Sequence, residues 1–117
     1  GIRPVASAAD LVAARAQVAT VTVAPEVAAY VVDLVRATRT SPSLRLGVPP
    51  RGAIALVTSA RAWAWLSGRD YVSPDDVKAL ARPTLRHRVS LRAEAELEGV
   101  TADAVLEGIL ATVPTPR

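Results

Sequence analysis

The chain predicts a mainly α fold: a small bundle of about five helices with one short two-stranded β-ribbon. Three observations predict it. Half of the 117 residues are apolar, yet there is no Phe, Met or Cys and only two Trp and two Tyr, so Ala, Val and Leu must build the core. Apolar residues recur at helical spacing along most of the chain. Proline, serine or threonine heads each periodic stretch, as helix starts require.

Residues 1–6 read as a tail, and so abrupt a beginning suits a piece of a larger protein. Ser7-Ala8-Ala9-Asp10 has the form of a capping box, with Ser7 as N-cap and Asp10 reaching back. A first helix from about Ala8 to Val18 follows, with Leu11, Ala14 and Val18 on one face. Thr20 to Val23 alternates and is extended or a linker. Pro25 and Glu26 open a second helix, whose stripe is Val27, Val31, Leu34, Val35 and Thr38. Arg36 and Arg39 fall on its other side, near an end where cations complement the dipole. Ser41-Pro42-Ser43 ends it, and Leu44, Leu46 and Val48 in the next loop should tuck against the core.

The central helix is expected from Pro50 to about Ser67. Pro50 suits the first helical position, and Pro49 is held extended by the proline after it. Ala53, Leu56, Val57, Ala60 and Ala64 form the expected buried stripe. Trp63 and Trp65, two apart, cannot share a face, and Trp63 at least is expected in the core. Gly68 closes the helix.

Arg51 falls in the first turn of that helix, the wrong end for a cation. The mismatch costs roughly 0.3–1 kcal/mol at an exposed site. An anion there reverses the balance, because free amides, the dipole and a guanidinium all favour a phosphate. Gly52 would let a ligand or another backbone come close.

Ser73, Pro74 and Asp76 make the best local helix start in the chain, another capping box. Asp75 and Asp76 point in different directions on a helix and have no further ligand cluster, so capping outweighs a metal role. Pro83 is expected to kink or break that helix. His87, the one histidine, lacks partners for a metal site or a triad. Val89-Ser90-Leu91 is expected to pair with Tyr71-Val72 as the ribbon. Ala93 to Glu98 reads as acidic and exposed, and Thr101 caps a last helix to about Thr112. Either Val105, Ile109 and Val113 or Leu106 and Leu110 face inward, and residues 114–117 form a fraying tail.

These residues carry a family resemblance. Gly47 to Ala53 resembles the Gly-x-Ser-Pro-Arg-x motif in the lid domain of MoxR-type AAA+ ATPases. Gly68-Arg69-Asp70-Tyr71-Val72-Ser73-Pro74-Asp75-Asp76-Val77 is similar to the family's Gly-Arg-x-Tyr-Val-x-Pro-x-Asp-Val segment, and Leu85-Arg86-His87-Arg88 to its Leu-x-His-Arg signature. Tyr30 to Arg39 is similar to the second lid helix. The likeness runs from about Val5 to Pro114, with one departure: Pro49 stands where the family often has serine.

The resemblance implies an AAA+ lid over residues 7–113, with Arg51 as the sensor-two arginine and Pro50, Arg51 and Gly52 as the nucleotide contact. It implies ATP, with magnesium held by residues outside this chain. It implies an α/β ATPase domain as partner, neighbouring subunits of a ring that is usually a hexamer, and chaperone-like work, often beside von Willebrand factor A domain proteins. A cytoplasmic location goes with it.

Composition sets the alternatives. The net charge is +3, but residues 1–92 hold 13 Arg or Lys against 6 acids and residues 93–117 hold 1 against 5. One face should be basic, so a small DNA-binding module is an alternative, with Arg82, Arg86 and Arg88 as its contacts. A protein-interaction module is another. No apolar run approaches the length of a membrane span, and no signal peptide is evident. No phosphate loop, nucleophile–base pair or metal spacing is present, so the chain alone holds no complete active site.

Overall fold

The computed structural model describes residues 7–117. The expected 1–6 tail lies outside the described residues. Six helices and two short strands follow in order: α1 Ala8–Ala19, α2 Pro25–Arg39, β1 Leu44–Leu46, α3 Pro50–Leu66, α4 Pro74–Leu85, β2 Ser90–Leu91, α5 Ala93–Leu97 and α6 Ala102–Thr112.

The core lies where α2, α3, α4 and α6 meet. From α2 it takes Val27, Tyr30, Val31, Leu34, Val35 and Thr38, the expected stripe with Tyr30 added. From α3 it takes Gly52, Leu56, Ala60 and Ala64, one residue per turn and mostly small. Small residues at that spacing let the neighbouring helices come close. A tryptophan does not fit such a seam. Trp63 accordingly stands 47% exposed, against the expectation of a core residue. Trp65 is half-buried, and its Nε1 donates to Gln17 Oε1 at 3.0 Å. That bond pins α1 onto α3.

α1 begins at the expected capping box, with Ser7 Oγ accepting from Asp10 N–H and Asp10 Oδ2 from Ser7 N–H. It buries no residue, and Leu11 is exposed. Its apolar face lies on the outside of α3 and touches little else.

The ribbon exists with a different partner. β2 pairs antiparallel with β1, Leu44 opposite Leu91 and Leu46 opposite Ser90, with a bulge between. Tyr71 instead bridges Thr22 in parallel, with Val72 N–H donating to Thr22 C=O at 2.9 Å. The alternation at Thr20–Val23 was too short to name its mate. Leu44 and Val48 are buried, while Leu46 faces out at 58% exposure.

Helix α4 runs through Pro83 to Leu85 instead of breaking there. Pro83 sits in the last turn and is exposed, so it removes only one amide donor close to the end of the helix. The acidic stretch after Arg92 winds into α5, which buries Ala95. In α6, Thr101 Oγ1 caps Ala104 N–H, Leu106 is buried, and Ile109, Leu110 and Val113 pack partly against the core. Residues 114–117 hold no regular structure. No described helix is long and apolar enough to cross a membrane.

Candidate functional site

The start of α3 is built by a chain of contacts from α2. Thr38 is 1% exposed. Its hydroxyl donates to Val35 C=O at 2.6 Å and accepts from Val48 N–H at 2.9 Å. The next residue, Arg39, donates from Nε to Val48 C=O at 3.3 Å. Both backbone groups of Val48 are thus held by consecutive residues of α2. Gly47 lies so close to that helix that a Cβ would stand 2.8 Å from the Arg39 Cα and backbone N.

Val48 in turn seats α3. It is fully buried, and its Cγ1 fills the place where a side chain at Gly52 would be. Leu85 and Arg88, at and just beyond the end of α4, close the same notch. Gly52 is therefore buried against its own chain, and its N–H donates to Pro49 C=O at 2.8 Å. Of the two close neighbours expected at this glycine, a ligand or another part of the chain, the fold supplies the second, the Val48 side chain.

Arg51 occupies the second position of α3, between Pro50 at the first and Gly52 at the third. Pro49 is extended (φ −72, ψ 164) and supplies no side-chain cap, and no acid stands in the first turn. Arg51 is exposed, and among the described residues it joins no ion pair. Arg39 and Arg88 lie around the same helix start. Arg39, Arg51 and Arg88 thus stand near the dipole-positive end of α3, whose first turn holds no acid.

The other basic residues are arranged differently. Arg86 Nε lies 3.1 Å from Asp103 Oδ1, an ionic contact between α4 and α6. Arg82 reaches Glu107 at 4.0 Å along the same seam. Arg88 donates to the Thr84 carbonyl. The arginines of the duplex-binding alternative are thus partly committed within the fold, and His87 is exposed. Among the described residues no cluster of His, Cys, Asp or Glu is placed to hold a metal.

The segment Gly68–Val77 forms a joint between helices. Gly68 adopts φ +80 beyond the C-cap of α3, where its N–H donates to Trp65 C=O and that of Arg69 to Ala64 C=O. This is a Schellman closure. Arg69 then forks onto both oxygens of Asp76, the acid of the α4 capping box. Burial works to raise the Asp76 carboxyl. The Arg69 hydrogen bonds, the Ser73 amide and hydroxyl, and the Arg69 charge outweigh it and hold the carboxyl below the usual range. Sequence reasoning found the capping box and missed the arginine that clamps it.

A profile of the family described as "AAA lid domain" matches residues 36–109. The chain is 42% identical over 115 residues to the uncharacterized protein YeaC of Bacillus subtilis, covering 98% of this chain and 36% of that one. It is 37% identical over 106 residues to protein MoxR of Paracoccus denitrificans, covering 79% and 31%. It is 34% identical over 97 residues to chaperone MoxR1 of Mycobacterium tuberculosis, covering 75% and 26%. The crystal structure of a "putative ATPase" from Cytophaga hutchinsonii superposes with a TM-score of 0.89 at 33% identity, over 93% of this chain and 36% of that one. The chain spans about a third of the length of these proteins. A six-helix fold with its one ribbon, the joint at Gly68–Val77 and these relatives lead to one conclusion: the chain belongs to the AAA lid domain family, as the C-terminal lid of a MoxR-type AAA+ ATPase.

Proposed function

We propose that the lid senses the nucleotide of its parent ATPase through Arg51. The observation that carries this reading is an exposed arginine at the second position of α3, on a helix tip with no acid in its first turn. A cation there is unfavourable by itself and becomes favourable when a phosphate arrives. Arg51 would meet the γ-phosphate of ATP bound by the α/β domain, with Mg2+ held there. Its charge stabilises the transferring phosphoryl group, and the contact couples nucleotide state to the angle of the lid. Pro50 contributes the preset helix start, and Gly52 the close packing that keeps this start in place.

In the whole protein this coupling would drive a ring, a hexamer by family resemblance, in chaperone-like remodelling in the cytoplasm. The relative named chaperone MoxR1 supports that direction. A von Willebrand factor A domain protein is the partner class the resemblance offers.

The test is ATP turnover by the full-length protein carrying Arg51→Ala. Loss of one preorganised charge donor should lower kcat roughly 100–1,000-fold. Turnover equal to that of the unaltered protein removes Arg51 from the mechanism.

A further inference from the structure

We propose that Thr38 is a positioning residue for Arg51, acting through Val48 and Gly52; this rests on the sensing role given to Arg51 above. Thr38 is a polar side chain at 1% exposure on a face otherwise made of Val, Leu and Tyr. Its bond to Val35 C=O is local to α2 and satisfies its proton. Its bond from Val48 N–H spans ten residues and leaves the helix. Val48 is fully buried, so without that oxygen its amide would lose its acceptor inside the core.

The consequence is geometric. Val48 is a wedge, held on one side by Thr38 and Arg39 and seated on the other in the notch at Gly52. Gly52 follows Arg51 directly, so the seat of Val48 sets the position and rotation of the first turn of α3. That rotation decides where the Arg51 guanidinium leaves the helix. A sensing arginine gains its effect from prepaid orientation, and a misplacement near 1 Å can cost about 100-fold in rate. Thr38 touches no nucleotide in this scheme; it acts through two other residues.

A double-mutant cycle in the full-length ATPase separates this role from plain structural support. The four proteins are the unaltered one, Arg51→Ala, Thr38→Val and the double variant, each assayed for ATP turnover. Thr38→Val keeps the shape and removes the acceptor. The expected result is a fall in kcat of about tenfold for Thr38→Val when Arg51 is present, less than about twofold further loss on top of Arg51→Ala, and recovery in Thr38→Ser. Equal losses in both backgrounds, or no loss in Thr38→Val, overturn the proposal. A normal Arg51→Ala enzyme overturns the sensing reading and this proposal with it, whereas a slow Arg51→Ala beside a normal Thr38→Val overturns only the positioning role. Should Thr38→Val fail to fold, Val48→Ala empties the notch and runs the same cycle, and additive losses there count against the proposal.

Discussion

Arg69 holds both carboxylate oxygens of Asp76, and that pair joins the end of α3 to the start of α4. Asp76 is 3% exposed and also receives the Ser73 amide at 2.7 Å. Arg69 reaches it because Gly68 turns the chain in the left-handed region just before. The Arg69 guanidinium also lies 5.7 Å from the Tyr71 ring, on the wall of the same joint. Three consecutive features of one motif (the glycine, the arginine and the capping acid) thus serve one mechanical purpose.

The pair makes stability depend on pH. The folded Asp76 carboxyl sits below its ordinary value, chiefly through its Arg69 and Ser73 hydrogen bonds acting against burial. A depressed carboxyl contributes stability that is fully present above the unfolded pKa, near 3.9 for aspartate. That stability is lost as pH falls through the lower folded value. Melting temperatures of the lid with and without Asp76→Asn should differ most near pH 7 and converge as pH drops below about 4. A constant gap across that range would deny Asp76 this role.

Gly52→Ala should destabilise the lid by about 1–3 kcal/mol, the usual cost of overpacking a close contact. The added methyl meets Cγ1 of Val48, a fully buried side chain. Denaturant unfolding measures the loss. Pairing Gly52→Ala with Val48→Ala should recover part of it, because the second change empties the space the first one needs.

Gly68→Ala should cost about 1–2 kcal/mol, since an L side chain is strained in the left-handed region. The position is open, with nothing near a Cβ, so the penalty is conformational and not a clash. Asparagine tolerates that region better, and Gly68→Asn should therefore unfold at higher denaturant than Gly68→Ala.

Tyr30→Phe should leave stability unchanged or raise it by up to about 1 kcal/mol. Tyr30 is 1% exposed, and its hydroxyl finds no partner among the described residues. Deleting an unsatisfied buried group removes a desolvation cost. A clear loss of stability in denaturant unfolding would reveal an acceptor for that hydroxyl.

Hydrogen exchange on the lid should show α1 opening before α2, α3 and α4. α1 buries no residue and rests on α3 through one side and the Gln17–Trp65 bond. Elements with few buried contacts open at the low end of the stability range. Slow exchange in α1 equal to that of α3 would contradict this.

The local signals were strong where the physics is local. Both capping boxes, Ser7 with Asp10 and Ser73 with Asp76, stand where the spacing put them. Prolines 25, 50 and 74 mark true helix starts, and the α2 stripe is buried as its period demanded. The place of Arg51 near the tip of α3 needed only the two prolines before it. Pairing across the chain was another matter. Thr22 with Tyr71, Leu44 with Leu91, and the outward turn of Trp63 depend on which faces meet, and a period says only that a face exists. The neighbour that needs Gly52 to lack a side chain is Val48, which only the packed fold brings into the notch. By itself, then, the sequence determined where α1, α2, α3, α4 and α6 begin, because caps, prolines and periods act within a few residues; the turn of α5 and the run of α4 past Pro83 lay beyond it. Only the tertiary structure decided which strand met which, which tryptophan stayed wet, and what holds the first turn of α3, because those depend on surfaces brought together from distant parts of the chain.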